Sequence, residues 1–140
     1  AYCGVGAISL WLGQSGLRVV GIEDLPQAVE DARASAKENG IDSCSFVQGK
    51  VEEHIRKFKK QGIETIILDP PRKGCSVKVL QAVSEILPKQ VIYISCNPDT
   101  LAANLATLSQ THDLVASALF DQFPFTHHIE AGVKLVKKNR

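Results

Sequence analysis

The sequence predicts an α/β fold, a doubly wound sheet of mostly parallel strands that ends in an antiparallel β-hairpin. Short β-branched runs alternate with helical apolar periodicity along nearly the whole chain, and glycine or proline marks most junctions. The last two strand-like runs are joined by a segment with no room for a helix. With 140 residues, 44% of them hydrophobic, the chain can bury roughly two thirds of the surface of its unfolded form, and one domain over 1–140 accounts for it.

The chain opens on Ala1-Tyr2-Cys3-Gly4-Val5-Gly6, which reads as the end of a strand running into a glycine loop. The expectation is therefore an N-terminally truncated domain whose first strand is missing. Ile8, Leu10, Trp11 and Leu12 predict a helix that stops at Gly16, and residues 17–22 a short buried strand. Pro26 suits the first turn of a second helix with the apolar stripe Ala28, Val29, Ala32 and Ala36, and Gly40 is placed to end it. Residues 45–47 form the next strand, Ile55 and Phe58 mark a basic surface helix, and residues 65–68 are a buried strand leading into Asp69-Pro70-Pro71. Ser76 is a cap for the helix carrying Val79, Leu80, Val83 and Leu87, which Pro88 follows. Residues 91–94 are another strand, Leu101, Leu105 and Leu108 share one helix face, and residues 114–120 and 132–136 make the hairpin.

Charge excludes a strongly basic nucleic-acid binder, since 16 Lys and Arg face 15 Asp and Glu for a net +1. If the domain acts on RNA, neutralising charge must come from local clusters or from polypeptide outside this chain. The clusters Arg56-Lys57-Lys59-Lys60 and Lys134-Lys137-Lys138-Arg140 read as solvated faces. No apolar run approaches the roughly 20 residues of a membrane span. Cys3, Cys44, Cys75 and Cys96 include no C-x-x-C pair, so metal ligation and a disulfide framework are both unsupported, and a reducing cytoplasm fits best.

Open α/β sheets bind ligands beyond the carboxyl ends of their strands, which directs attention to residues 2–6, Glu23, residues 69–72 and residues 95–98. Gly4-x-Gly6 before a helix admits a close backbone approach, and Glu23 at the end of the next strand is placed to accept from ribose hydroxyls. Ser9 stands where a dinucleotide fingerprint needs its third glycine, which favours a nucleoside cofactor without pyrophosphate, such as S-adenosylmethionine. The two prolines after Asp69 make a rigid loop that aims a carboxylate into the crevice. Cys96 lies beside a helix N-terminus, where the partial positive charge favours thiolate. The hairpin loop carries His127-His128 and ends on Glu130; with no further ligand at metal spacing, metal is set aside.

Four segments in order, Tyr2-Cys3-Gly4-Val5-Gly6, Asp69-Pro70-Pro71-Arg72-Lys73-Gly74, Ser95-Cys96-Asn97-Pro98 and Phe123-Pro124-x-Thr126-x-His128-Ile129-Glu130, resemble the RNA uracil-5-methyltransferase family. The resemblance covers nearly the whole chain. It implies a Rossmann-like methyltransferase fold, S-adenosyl-L-methionine as cofactor and an RNA substrate, with Lys73-Gly74 pointing to the ribosomal RNA branch (23S rRNA). It further implies that Tyr2, Gly4, Gly6, Glu23 and Asp69 contact the cofactor, that Cys96 is the nucleophile and that Glu130 is the general base. Two other readings remain open from the residues: a nucleobase N-methyltransferase, which needs no cysteine, and a noncatalytic cofactor- or RNA-binding module.

Overall fold

The computed structural model describes every residue except Phe123, His127 and Arg140. The chain divides into two compact units, 1–54 and 55–140. The first contains α1 (Ala7–Gln14), β1 (Val19–Glu23), α2 (Pro26–Glu38), β2 (Cys44–Gln48) and the single turn α3 (Val51–His54). β1 and β2 pair in parallel from Val19 opposite Cys44 to Glu23 opposite Gln48. Pro26 opens α2 as predicted, and its stripe Ala28, Val29, Ala32 and Ala36 is buried. Val29, Ala32 and Ala36 form a core with Phe46, against which Cys3, Leu10 and Cys44 pack.

Gly40 (φ +64°) ends α2, where its N–H donates to the Lys37 carbonyl and the Ile41 N–H to the Ala36 carbonyl. That pair of bonds is the Schellman motif, which satisfies carbonyls the helix end would leave open. In α1 the buried residues are Ser9 and Gly13, whereas Trp11 is 69% exposed. A Cβ on Gly13 would collide with Cys44 Sγ and lie 2.8 Å from Ile41 Cγ2, so α1 approaches β2 through its smallest residues while Trp11 turns outward.

The second unit contains a 3-10 turn (Ile55–Phe58), β3 (Thr65–Leu68), α4 (Val77–Ile86), β4 (Gln90–Ser95), α5 (Pro98–Leu108), β5 (His112–Phe120) and β6 (Glu130–Lys137). Its sheet has the order β3-β4-β6-β5, with β3 and β4 parallel and the other neighbours antiparallel. The hairpin is longer than its apolar pattern indicates, and its second strand lies inside. Ala131, Val133 and Leu135 of β6 alternate into the core, while β5 is exposed after its first residue and forms the edge. A bulge between Leu114 and Ala116 interrupts that edge. The anchor of β5 is His112, fully buried, with Nε2 3.0 Å from the Pro88 carbonyl and Nδ1 2.9 Å from Thr111 Oγ1.

Two predicted helical features differ. The basic segment is one α turn followed by a 3-10 turn, with the N–H of Lys59 and of Gln61 bonding three residues back. Four cations in five residues repel along an α surface, and Gly62 (φ +67°) stops the segment. Leu87 lies in the left-handed region (φ 55°) instead of completing α4, because Pro88 disfavours a right-handed helical residue before it.

Candidate active site

In the first unit, three of the first six residues have left-handed backbone: Tyr2 (φ 61°), Gly4 (φ 53°) and Gly6 (φ 83°). Gly6 accepts from the Leu10 N–H to begin α1, and a Cβ there would lie 2.9 Å from Phe46 Cε1 and 3.1 Å from Ala32 Cβ. Its role is to admit the core. Gly4 is different, because, its chain neighbours aside, no atom of the described residues lies within 4 Å of the position its Cβ would take. Its loop therefore presents bare backbone to open space.

Glu23, at the end of β1, is part of that loop. Its Oε2 accepts from the Gly4 N–H and its Oε1 from the Leu25 N–H, both at 2.9 Å. The structure thus brings Tyr2, Gly4, Gly6 and Glu23 together and gives Glu23 a second task, holding the loop from which a ligand would be recognised. Each carboxylate oxygen retains a further lone pair for a hydroxyl donor. Cys3 lies against the core, and burial pushes its thiol up, away from thiolate.

In the second unit, Asp69 follows Leu68, the last residue of β3. Neighbouring protein atoms displace enough water to push its carboxyl above the usual aspartate range, although the residue still reaches the surface. The loop after it is pinned at three points. The Gly74 N–H donates to the Pro71 carbonyl at 2.8 Å. The Arg72 carbonyl accepts from Asn97 Nδ2 at 3.2 Å and Thr100 Oγ1 at 3.1 Å. The Cys75 N–H reaches Asn104 Oδ1 at 2.8 Å and Tyr93 Oη at 3.2 Å, while the Tyr93 hydroxyl donates to Asn104 Oδ1 at 2.7 Å. Tyr93 is fully buried, which raises its phenol pKa and keeps the hydroxyl a neutral donor.

Cys96 sits between Ser95, the last residue of β4, and Asn97, the N-cap of α5. Ser95 Oγ accepts from the Asn97 N–H at 3.1 Å and donates to the Asn97 carbonyl at 3.0 Å, while Asn97 Oδ1 accepts from the Asp99 N–H at 3.1 Å. Pro98 occupies the first helical turn, where its missing N–H costs nothing. The half-buried thiol of Cys96 is thus carried by a turn fixed on both flanks.

Ser95 pairs with Ala131 at the end of the β4–β6 ladder. Cys96 directly follows that pair on the β4 side, and Glu130, the first residue of β6, directly precedes it and is itself paired with Phe120 on β5. Thr100, Asn104 and Tyr93, which with Asn97 join the Cys96 turn to the Asp69 loop, were not singled out from sequence. A signal existed: Asn97, Thr100 and Asn104 are polar positions at helical spacing on one face of α5. Of the hairpin-loop motif, Phe123 and His127 lie outside the described residues. Among the described residues, no group of three or more His, Cys, Asp and Glu is arranged to hold a metal ion, and no helix is long and apolar enough to cross a membrane.

Comparison with known proteins adds a family. The chain is 41% identical over 140 residues to an uncharacterised RNA methyltransferase of Bacillus cereus and 43% identical over 141 residues to one of Clostridium acetobutylicum, covering 99% of this chain and 30% of each relative. It thus spans about a third of the length of these relatives. Among solved structures it is similar to the Pyrococcus abyssi tRNA (uracil-54, C5)-methyltransferase in complex with S-adenosyl-L-homocysteine, with a TM-score of 0.86 and 31% identity over 96% of this chain and 33% of that one. A precorrin-6y C5,15-methyltransferase of Geobacter metallireducens, 13% identical with a TM-score of 0.77 over 97% of this chain and 77% of its own, shares the fold alone. The sequence matches the family described as tRNA (uracil-5-)-methyltransferase over residues 1–138, and the chain belongs to that family.

Proposed function

We propose that residues 1–140 act as the catalytic domain of an enzyme that transfers a methyl group from S-adenosylmethionine to C5 of a uridine in RNA. Cys96 is the nucleophile and Glu130 the general base. The observation that carries this reading is the Ser95–Ala131 pair that ends the β4–β6 ladder, with Cys96 next in sequence to the one and Glu130 to the other. Neighbouring strands lie about 4.8 Å apart. That spacing suits chemistry at C6 and C5, adjacent atoms of one pyrimidine ring.

The first unit suits a nucleoside cofactor, since Gly4 offers backbone beneath open space and Glu23 keeps acceptor capacity for ribose hydroxyls. Tyr2 and Gly6 complete that loop, and Asp69 is the cofactor residue of the second unit. When bound, S-adenosylmethionine supplies a methyl group on a sulfonium centre. Uracil C5 is a poor nucleophile, and the protein overcomes this covalently: the Cys96 thiolate bonds to C6, and the C5–C6 electron pair moves into an enolate whose carbon end is C5. Once C5 carries the methyl, Glu130 takes the C5 proton, the C5–C6 double bond reforms, and the sulfur leaves C6 as thiolate. The base must first leave its stack, at a cost of roughly a few kcal/mol that looped RNA reduces.

For the RNA, the Lys73-Gly74 extension favours ribosomal RNA, whereas the 31% identical Pyrococcus abyssi enzyme favours tRNA. Gly74 (φ +75°) has a purely structural explanation, since a Cβ there would lie 2.8 Å from Asn104 Oδ1, so the ribosomal reading rests on Lys73. The test uses the intact protein with both RNA classes, each carrying 5-fluorouridine at the target, and labelled S-adenosylmethionine. A protein–RNA adduct that survives denaturing electrophoresis and disappears in Cys96→Ala is expected with one of them. Normal methyl transfer by Cys96→Ala would replace this reading with an N-methyltransferase. Binding without transfer by the unaltered protein would replace it with a noncatalytic module.

A further inference from the structure

We propose that Phe120 is a specificity-determining residue, the aromatic wall against which the extruded pyrimidine packs when it enters between Cys96 and Glu130. This rests on the reading of Cys96 and Glu130 given above and adds a third member to their row. Phe120 is the β5 partner of Glu130, and Glu130 precedes Ala131, whose β4 partner Ser95 is followed by Cys96, so the three residues lie at the same end of a row across β4, β6 and β5. Residues directly opposed in antiparallel pairs point to the same face of the sheet. With strands about 4.8 Å apart, the row spans about 10 Å, enough for one flat heterocycle and its contacts.

The direction of the ring distinguishes Phe120 from an ordinary surface aromatic. Gly132, two residues after Glu130 and on the same face, pairs with Ala118 of β5 and Ile94 of β4. A Cβ on Gly132 would lie 3.3 Å from Phe120 Cε2, the one atom of the described residues within 4 Å of it apart from its chain neighbours. The ring therefore leans inward from the edge strand over the place a side chain at 132 would occupy. Even so, Phe120 remains 50% exposed. A half-exposed ring, leaning over a glycine and paired across the ladder with a carboxylate residue, offers an apolar surface to a base and nothing to a phosphate. Aromatic stacking of this kind tolerates any base face, so it would favour an unpaired, flipped-out nucleotide over a paired one.

The experiment measures adduct formation with 5-fluorouridine RNA in the intact protein, separating its rate from its half-saturating RNA concentration, for Phe120→Leu, Phe120→Tyr and Gly132→Ala. Leucine keeps an apolar side chain on Gly132 but removes the aromatic face, and it is expected to lower rate over half-saturation about 10-fold or more, with S-adenosylmethionine affinity and Tm close to those of the unaltered protein. Tyrosine is expected to restore most of that loss, which simple filling of space does not require. Gly132→Ala displaces the ring without altering it, should reproduce the loss in part, and carries the test if Phe120→Leu folds poorly. Adduct formation by Phe120→Leu and Gly132→Ala within twofold of the unaltered protein, with Cys96→Ala inactive, overturns this inference alone. Transfer by Cys96→Ala overturns it together with the reading beneath it.

Discussion

Ser95 and Ala131, 36 positions apart in the sequence, form the last pair of the β4–β6 ladder, with Cys96 directly after the one and Glu130 directly before the other. The relationship depends on β6 lying between β4 and β5. Were β5 the neighbour of β4, Glu130 would begin an edge strand one sheet spacing further from the thiol, about 5 Å more.

Nucleophile and base act at different steps, so their loss should look different. Without the base the adduct forms and is methylated but cannot collapse. Glu130→Gln is therefore expected to accumulate a protein–RNA species that requires Cys96 and carries the labelled methyl group. Ordinary turnover by Glu130→Gln would remove Glu130 from the base role.

Glu23 is expected to affect both loop and ligand. Glu23→Ala leaves the Gly4 and Leu25 amides without their carboxylate partner, and hydrogen bonds to charged groups contribute roughly 1.5–3 kcal/mol each, less where water can replace the acceptor. Calorimetry should show weaker S-adenosylmethionine binding, and thermal unfolding a lower Tm. Unchanged cofactor affinity alongside a lower Tm would assign Glu23 to the loop alone.

The Asp69 carboxyl is raised by burial, so ionisation opposes folding. Its contribution is most favourable below the unfolded pKa of about 3.9 and is lost as pH rises through the higher folded value. Asp69→Asn should therefore stabilise the fold at pH 7, by less than about 1 kcal/mol for a solvent-screened surface group, and the gain should vanish below about pH 4. A gain that persists undiminished in acid would contradict the assignment.

Asn104 is the hub of the loop network and Tyr93 one of its spokes. Tyr93→Phe removes one donor while the Cys75 N–H keeps Asn104 as acceptor, so a loss of about 1 kcal/mol is expected. Asn104→Leu strands both the buried hydroxyl and the Cys75 amide and should cost more, about 2–4 kcal/mol. Urea unfolding of the two variants in parallel tests the order, and a larger loss for Tyr93→Phe would contradict it.

The sequence alone determined what depends on neighbours along the chain. The stripe Ala28, Val29, Ala32 and Ala36, Pro26 and Pro98 in first helical turns, Gly40 beyond α2 and the strand Thr65–Leu68 stand where their local signals place them, because capping, proline stereochemistry and helical period act within one or two turns. Asp69, Cys96 and Glu130 could be proposed from sequence for the same reason, as polar residues at the ends of apolar runs or at the rim of a hairpin. Tertiary structure decided the rest: that β6 pairs with β4, that Phe120 leans over Gly132, that Glu23 grips Gly4, and that Asn104 joins Tyr93 to Cys75. Each of these links residues 11 or more positions apart, where no local propensity operates and the choice belongs to burial of Ala131, Val133 and Leu135 and to the need of buried polar groups for partners.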